Sequence, residues 1–456
     1  MRVGKLGHAS TMVTVERTTC LADPVLTESF ECSAVALQPP ISINVEEINT
    51  QLGLILLSHR HMDHFCVKSL SMLRRDVPVL YPAGDALIAS CLRILGFANR
   101  LPVTSGQCVS IGELKIFPTE SKADFPEYGA LFVAPGATFW NMIDSVVNDK
   151  IVSDVRQITR DLNLLFAKYQ PLVEEPLCLD ALGSCFPIEK YGKLLRHAAL
   201  CDADVVVPAS CGYRYIADCW LNSRAFPVTE SRFARDLSKL SPRSKLSRLS
   251  HGEWIEIRDG KISDLGKYPF VSAVDSSHEL EWRPDAGVPA LRDYNQFEYS
   301  DRQIRKKVNA FLEMLPRLLL GLDFAWRTRM RLHEVLWRLE IVFPSSEVQS
   351  YALDFSQQNY ELQSHSRDAD LITSICASAI TALMLGDCNA YCVLFNKMRV
   401  VNKVYAVHYE RSFMCWTLAD EPIIRTILND ADTRYAIKLA RRLSREGGLA
   451  RRVSKR

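Results

Sequence analysis

The stretch Leu54-Ile-Leu-Leu-Ser-His-Arg-His-Met-Asp-His64 decides how this chain is read. Its first half is an uninterrupted apolar run with the length of a buried strand, and it leads straight into His59, His61, Asp63 and His64. Four side chains able to ligate a metal therefore fall within six residues, where a strand ends and the chain turns. Alternate residues of an extended segment share a face, so His59 and His61 can meet at one ion while Asp63 and His64, past the turn, serve a neighbouring one. A His-rich surface loop is the plain alternative, and the buried strand immediately upstream speaks against it.

On either side the chain alternates short apolar runs, at Thr11 to Val15, Val79 to Tyr81, Leu114 to Phe117 and Asp204 to Val207, with amphipathic stretches at Lys68 to Arg75 and Asp85 to Leu95. That is α/β alternation, and Gly96 reads as a helix stop. From Thr229 to Gly252 the sequence turns Ser-, Arg- and Lys-rich and reads as a surface segment or linker. A second unit begins near Tyr294, with helices predicted at Asp301 to Leu320, Thr328 to Trp337 and Ala369 to Leu385 and strands at Arg338 to Phe343 and Val348 to Leu353. The division expected is 1–227, a catalytic domain; 228–293, a linker with additional strands; 294–437, an α+β accessory domain; and 438–456, a basic tail. That tail holds eight Lys or Arg against one Glu and reads as a solvated helix end.

His-x-His-x-Asp-His after a strand resembles the signature of the metallo-β-lactamase fold superfamily. Leu6-Gly-His-Ala-Ser10, Asp23-Pro24, Asp63-His-Phe65 with Lys68-Ser-Leu70, and Gly106 with Ile111-Gly112 are similar to the branch of ascorbate-6-phosphate lactonases and N-acyl-phosphatidylethanolamine phospholipase D. Over roughly residues 1–215 the resemblance implies an αββα sandwich with two metals at one edge of its sheets. Asn141-Met-Ile-Asp144, Leu179 to Pro187, Pro208 to Tyr215 and His251 to Trp254 resemble the metallo-β-lactamase part of CMP-N-acetylneuraminate hydroxylases. The Cys-x-His and Cys-x-x-His pairs of that family's Rieske centre are absent, so an electron-handling protein here implies a separate electron donor. The module from Tyr294 to Phe413 resembles sterol-carrier-like domains.

Two departures from the pattern shape the expected chemistry. Where the superfamily offers a third His, after the strand Leu114 to Phe117, the carboxylate available here is Glu120; Asp144 suits the metal-bridging Asp. The final His, after the strand Asp204 to Val207, is missing, which leaves Asp180, His197, Ser210 or Cys211 as additions to Asp63, His64 and Asp144. A set of three His and up to three carboxylates suits iron or manganese as well as zinc, with iron favoured. The Glu and Asp in this order also resemble di-iron hydroxylases of the same fold. His8 is read as a donor to a ligating carboxylate or else a hydrogen-bonded structural His, and Arg214, between Tyr213 and Tyr215, as a clamp for a substrate carboxylate or phosphate or else a structural residue.

The expectation is thus a dinuclear metalloenzyme acting on a small-molecule substrate, Asp63 and Asp144 at its catalytic centre, read as a non-haem di-iron oxygenase. The alternatives are a metallo-hydrolase of an ester, lactone or phosphodiester, and a non-catalytic metal-binding scaffold. Lys+Arg 55 against Asp+Glu 53 gives no field for nucleic acid. No membrane span is predicted, and fourteen scattered Cys suit a reducing, cytoplasmic setting. Gly-x-Ser-x-Gly and glycine-rich phosphate loops are absent from the sequence.

Overall fold

The structure, a computed structural model, describes residues 1–30, 32–172, 186–216, 219–273, 281–357, 360–363, 368–402 and 418–453. Its first part is built on two sheets. One runs in the order Lys261–Lys267, Glu253–Arg258, Arg2–Lys5, Thr11–Val15, Thr18–Ala22, Leu52–Leu56, Val79–Pro82, Arg100–Val103. The other runs Val109–Ile111, Leu114–Glu120, Tyr128–Ala134, Ala137–Asn141, Leu164–Lys168, Val205–Ala209, Lys245–Leu246. Leu54 and Leu56 point between the sheets towards Phe132, Phe139 and Phe166, whereas Ile55 and Leu57 point outward under the helices Val67–Met72 and Ala86–Leu95. A strand buried on both faces needs an unbroken apolar run rather than alternation, which is what Leu54 to Leu57 supplies. Asp85 caps the second helix through Ile88 N–H, and Gly96 closes it at φ 85°, where a side chain would be strained.

Helices Asp149–Ile158, Ile188–Leu200 and Glu230–Leu240 cover the outer face of the second sheet, packing Val155, Leu195 and Leu237 over Trp140, Leu165 and Val206. The result is an αββα sandwich. The segment after Thr229 departs from its reading as a linker. It forms a capped helix in which Phe233 and Leu237 are fully buried, because one apolar pair four residues apart is enough stripe for a short helix lying on a sheet.

The second unit is a four-stranded sheet in the order Val348–Asp354, Leu336–Val342, Leu371–Cys376, Met398–Asn402, backed by helices Asp301–Leu320 and Ala377–Leu385. Ile304, Val308, Phe311, Leu315 and Leu319 make one buried stripe of the long helix, started by a Ser300/Gln303 capping box. The second predicted helix lies at Phe324–Leu332, upstream of its predicted place. The helix predicted from Ala369 begins only at Ala377, since the β-branched run Leu371-Ile-Thr-Ser-Ile375 pairs as a central strand instead.

Helix Ala431–Val453 contains the basic stretch from Lys438, yet its Ala436, Leu439 and Ala440 are buried against Leu70, Ile88 and Leu92 of the first unit. The two units therefore share a core. Among the described residues no helix is long and apolar enough to cross a membrane.

Glu421 lies fully inside the second unit, accepting from Thr373 Oγ1 at 2.5 Å and Ile424 N–H at 2.8 Å. Burial pushes its carboxyl up to about 7. Between about pH 4.5 and 7 the folded chain thus holds a proton that the unfolded chain has released, so this group's contribution falls as pH rises through that window. Glu421→Gln is expected to flatten the pH dependence of unfolding free energy between pH 5 and 8, by on the order of 3 kcal/mol. Denaturant titrations at the two pH values measure it; an unchanged slope would show that Glu421 stays ionised.

Candidate metal centre

The first sheet brings the parallel strands Thr18–Ala22 and Leu52–Leu56 side by side, with Ala22 opposite Leu56, so Asp23 and Ser58 emerge together at one edge. In the second sheet Ala137–Asn141, Leu164–Lys168 and Val205–Ala209 are also mutually parallel. They deliver Asp144, Lys168 and Ser210 from their C-terminal ends. Three non-glycine residues near this edge hold left-handed backbone: Asp23 (φ 46°), Ile143 (φ 55°) and Ser210 (φ 57°). For the β-branched Ile143 that conformation is costly, and it turns Asp144 out of the strand direction.

Asp23 is fully buried. Its Oδ1 accepts from Ser58 N–H at 2.8 Å, and its Oδ2 accepts from Ser58 Oγ at 2.6 Å and from His64 Nδ1 at 2.9 Å. Ser58 Oγ, having donated its proton to Asp23, accepts from His59 Nδ1 at 2.9 Å. Both imidazoles are thereby fixed with the proton on Nδ1 and the Nε2 lone pair turned into the site. His8 is oriented the opposite way. Gly212 N–H donates to its Nδ1 at 3.3 Å, so its Nε2 donates to Asp63 Oδ2 at 3.1 Å. His8 thus holds the Asp63 carboxylate in place.

The inward-facing atoms then fall into two groups. His59 Nε2 lies 3.0 Å from His61 Nδ1. His64 Nε2 lies 3.6 Å from both Asp63 Oδ2 and Asp144 Oδ2. His64 Nε2 and Asp144 Oδ1 are buried without a hydrogen-bond partner among the described residues. Atoms that ligate a common ion at about 2.1 Å sit roughly 3.0 to 3.4 Å from each other; the 3.6 Å pairs, too long for hydrogen bonds, lie just beyond that range, and the 3.0 Å imidazole pair fits either a shared ion or a hydrogen bond. The His8, Asp63 and His64 donor atoms all lie within 4.8 Å of one another.

The electrostatics match. Burial, with His64 and His61 nearby, holds His59 well below the usual imidazole range, and desolvation by its neighbours lowers His61 too although that residue is open to solvent, leaving both neutral as ligation requires. Burial opposes charge on His64, yet the carboxylates of Asp63, Asp144 and Asp23 hold it well above that range, so ligation through its Nε2 requires release of a proton from that atom. Burial likewise opposes charge on Asp63 and Asp144, but His64 and His8 beside the first, and Lys168 and His64 beside the second, keep both ionised. Lys168 Nζ donates to the Asp144 carbonyl at 3.0 Å and stands 3.7 Å from Oδ1.

Other predicted positions are not drawn in. Glu120 ends the strand Leu114–Glu120, but its carboxylate is about two-fifths exposed and ion-paired with Lys122. The acid nearby that is half-buried is Glu127, seven residues on, whose Oε1 has no hydrogen-bond partner among the described residues; desolvation and the Asp144 charge push it up to about 7. His197 pairs with Asp149 at 3.5 Å on a helix surface. Cys211 and Ser210 line the cavity over the site, and burial pushes the Cys211 thiol up to about 11, which keeps it unreactive. Arg214 donates to the Tyr213 carbonyl at 2.8 Å and lies 4.5 Å over the Phe226 ring, so its guanidinium is used within the fold. Asp180 lies outside the described residues.

The cavity measures about 450 Å³, and its wall includes Lys168, Phe226, Tyr391 and Asp432. The last two come from the second unit. Tyr391 Oη meets Tyr215 Oη at 2.9 Å and Tyr213 Oη at 3.4 Å, and Asp432 Oδ1 accepts from Ala390 N–H at 2.8 Å. Sequence reading missed Glu127, Lys168, Tyr391 and Asp432. Lys168 had a usable signal, as a charge at the end of an apolar strand; Tyr391 and Asp432 had none, since only the tertiary fold brings them to the histidines.

Gly212 permits the close approach that seats His8. A β-carbon there would stand 2.6 Å from His251 Nε2 and 2.9 Å from the His8 backbone. Gly212→Ala is expected to cost about 1–3 kcal/mol of stability and to weaken metal retention, read by denaturant unfolding and elemental analysis. A variant with wild-type values in both would place His8 outside the site's support.

No family model and no curated protein matches the sequence. Solved structures with a similar fold include CmlA, a diiron β-hydroxylase from Streptomyces venezuelae, at 17% identity, TM-score 0.40, over 55% of this chain and 52% of that one. A metal-dependent hydrolase described as possible, from Veillonella parvula, aligns at 13% identity, TM-score 0.39, over 56% of this chain and 98% of its own. An isothiocyanate hydrolase from Delia radicum gut bacteria aligns at 15% identity, TM-score 0.41, over 56% and 99%. The chain thus spans about half the length of CmlA, and these likenesses concern the fold alone. The first unit thus combines an αββα sandwich with histidines at a strand edge.

Proposed function

We propose that this protein is a dinuclear metalloenzyme: His59, His61, Asp63, His64 and Asp144 hold two metal ions, with Glu127 a further candidate where the sequence pointed to Glu120. The observation that carries this reading is the separation of the inward-facing donor atoms, 3.0 Å for the imidazole pair and 3.6 Å for His64 with each carboxylate. Asp23 and His8 keep those atoms turned inward. A cavity of about 450 Å³ with an aromatic wall suits a small-molecule substrate.

For the activity we favour a non-haem di-iron oxygenase served by a separate electron donor. The oxygen-rich donor set around His64 suits iron. Two irons would supply oxygen activation; two zincs would supply Lewis acidity. The chain's own contribution is to fix the donors, to hold Asp144 ionised through Lys168, and to exclude water behind Tyr213, Phe226 and Tyr391. The imidazole pair suits zinc equally and supports the second reading, a hydrolase of an ester, lactone or phosphodiester. Elemental analysis and absorption spectra of protein purified without added metal separate these. Two irons with an oxo-bridge absorption support the oxygenase; two zincs support the hydrolase; one ion or none, with folding unaffected by chelation, would replace both with a binding scaffold.

A further inference from the structure

Away from the candidate metal centre, the two units meet at a second chemical feature. Cys32 lies in the loop between strands Ser29–Phe30 and Val35–Leu37, in left-handed backbone at φ 55°, partly exposed. It lines a cavity of about 210 Å³ beneath helix Ala431–Val453. Across the junction stands Cys392, fully buried in helix Ala390–Asn396. One acceptor joins them: Asn389 Oδ1 takes Cys392 N–H at 3.0 Å and the Cys32 thiol at 3.6 Å, 357 positions away in sequence. Gln296 Nε2 donates to Cys392 Sγ at 3.8 Å.

We propose that Cys32 and Cys392 are an oxidation site: hydrogen peroxide, or a peroxide of similar size, converts them to a disulfide that ties the first unit to the C-terminal unit. Peroxide enters by the cavity and meets Cys32, the only one of the pair that faces it. Burial raises the Cys32 thiol, so it reacts slowly and as the thiol: the O–O bond breaks as the Cys32 sulfur takes one hydroxyl and its proton passes to the other, giving a sulfenic acid and one water. Cys392 sulfur then attacks that sulfur, forming the S–S bond and releasing the second water. Two thiols thus lose two protons and two electrons, and one peroxide becomes two waters. The donor at Gln296 favours the thiolate of Cys392, which suits it as the attacking partner. Neighbouring Tyr391 stands in the wall of the metal cavity, so the tie would fix one wall of that cavity.

The test needs no substrate and does not depend on the metal. Full-length protein, reduced and then exposed to stoichiometric hydrogen peroxide, is expected to lose about 2 Da, with Cys32 and Cys392 peptides cross-linked and the loss reversed by dithiothreitol. Its thermal midpoint should rise by roughly 5 °C. Cys32→Ser, at a partly exposed position, should fold normally and show neither change. No mass loss, a cross-link through Cys388 in place of Cys392, or oxygen addition that dithiothreitol does not reverse would each overturn the proposal.

Discussion

Asp23→Ala should cost about 3–5 kcal/mol of stability and most of the metal the protein carries. The carboxylate accepts from Ser58 N–H, Ser58 Oγ and His64 Nδ1, all at 2.9 Å or less, and all four residues in the Asp23–Ser58–His59–His64 chain are fully buried. Truncation leaves those donors without acceptors in a site closed to water, which is the costly side of hydrogen bonding. It also frees both imidazoles to rotate or change tautomer, and loss of such support typically weakens metal affinity about 10- to 100-fold. Asp23→Asn keeps the shape but turns an N–H₂ towards donors, so it should lose metal with a smaller stability penalty. Denaturant unfolding of chelated and metal-loaded protein separates the two effects. An Asp23→Ala protein with wild-type metal content would remove Asp23 from the centre.

The second large effect is expected at Asp144. Asp144→Ala removes a carboxylate that faces His64 at 3.6 Å and is steadied by Lys168, so the variant should retain about one ion where the wild type retains two. Glu120→Ala, at a partly exposed carboxylate paired with Lys122, should retain both. Glu127→Ala should reduce occupancy. Elemental analysis of the three variants beside wild type decides the ligand set. Metal loss in Glu120→Ala with none in Glu127→Ala would restore the sequence-based choice, and full occupancy in Asp144→Ala would end the dinuclear reading.

How much could be read from the sequence depended on the range of the physics involved. The apolar run Leu54 to Leu57 and its four polar successors are local, and the strand, the turn and the inward histidines follow from them. Gly96 and Asp85 marked helix ends because capping is local too. The choice between Glu120 and Glu127 was not local. Register places Glu120 opposite Tyr128, and which nearby carboxylate is desolvated depends on how the following loop closes over Asp144. Phe233 and Leu237 were a weak stripe in an otherwise polar segment, and a sheet to lie against made a helix of it. Leu371 to Ile375 went the other way, where strand partners on both sides overrode a helical pattern.

Helix Ala431–Val453 has a consequence for anyone dissecting this molecule. Ala436, Leu439 and Ala440 close a greasy seam over Leu70, Ile88 and Leu92, directly behind the turn that carries the histidines. A fragment cut at the apparent boundary near residue 293 would present that seam to water and lack Tyr391 and Asp432 as well, so it should aggregate and, if rescued, hold a gaping pocket. Fragments that look separable on paper are, in this chain, two halves of one vessel.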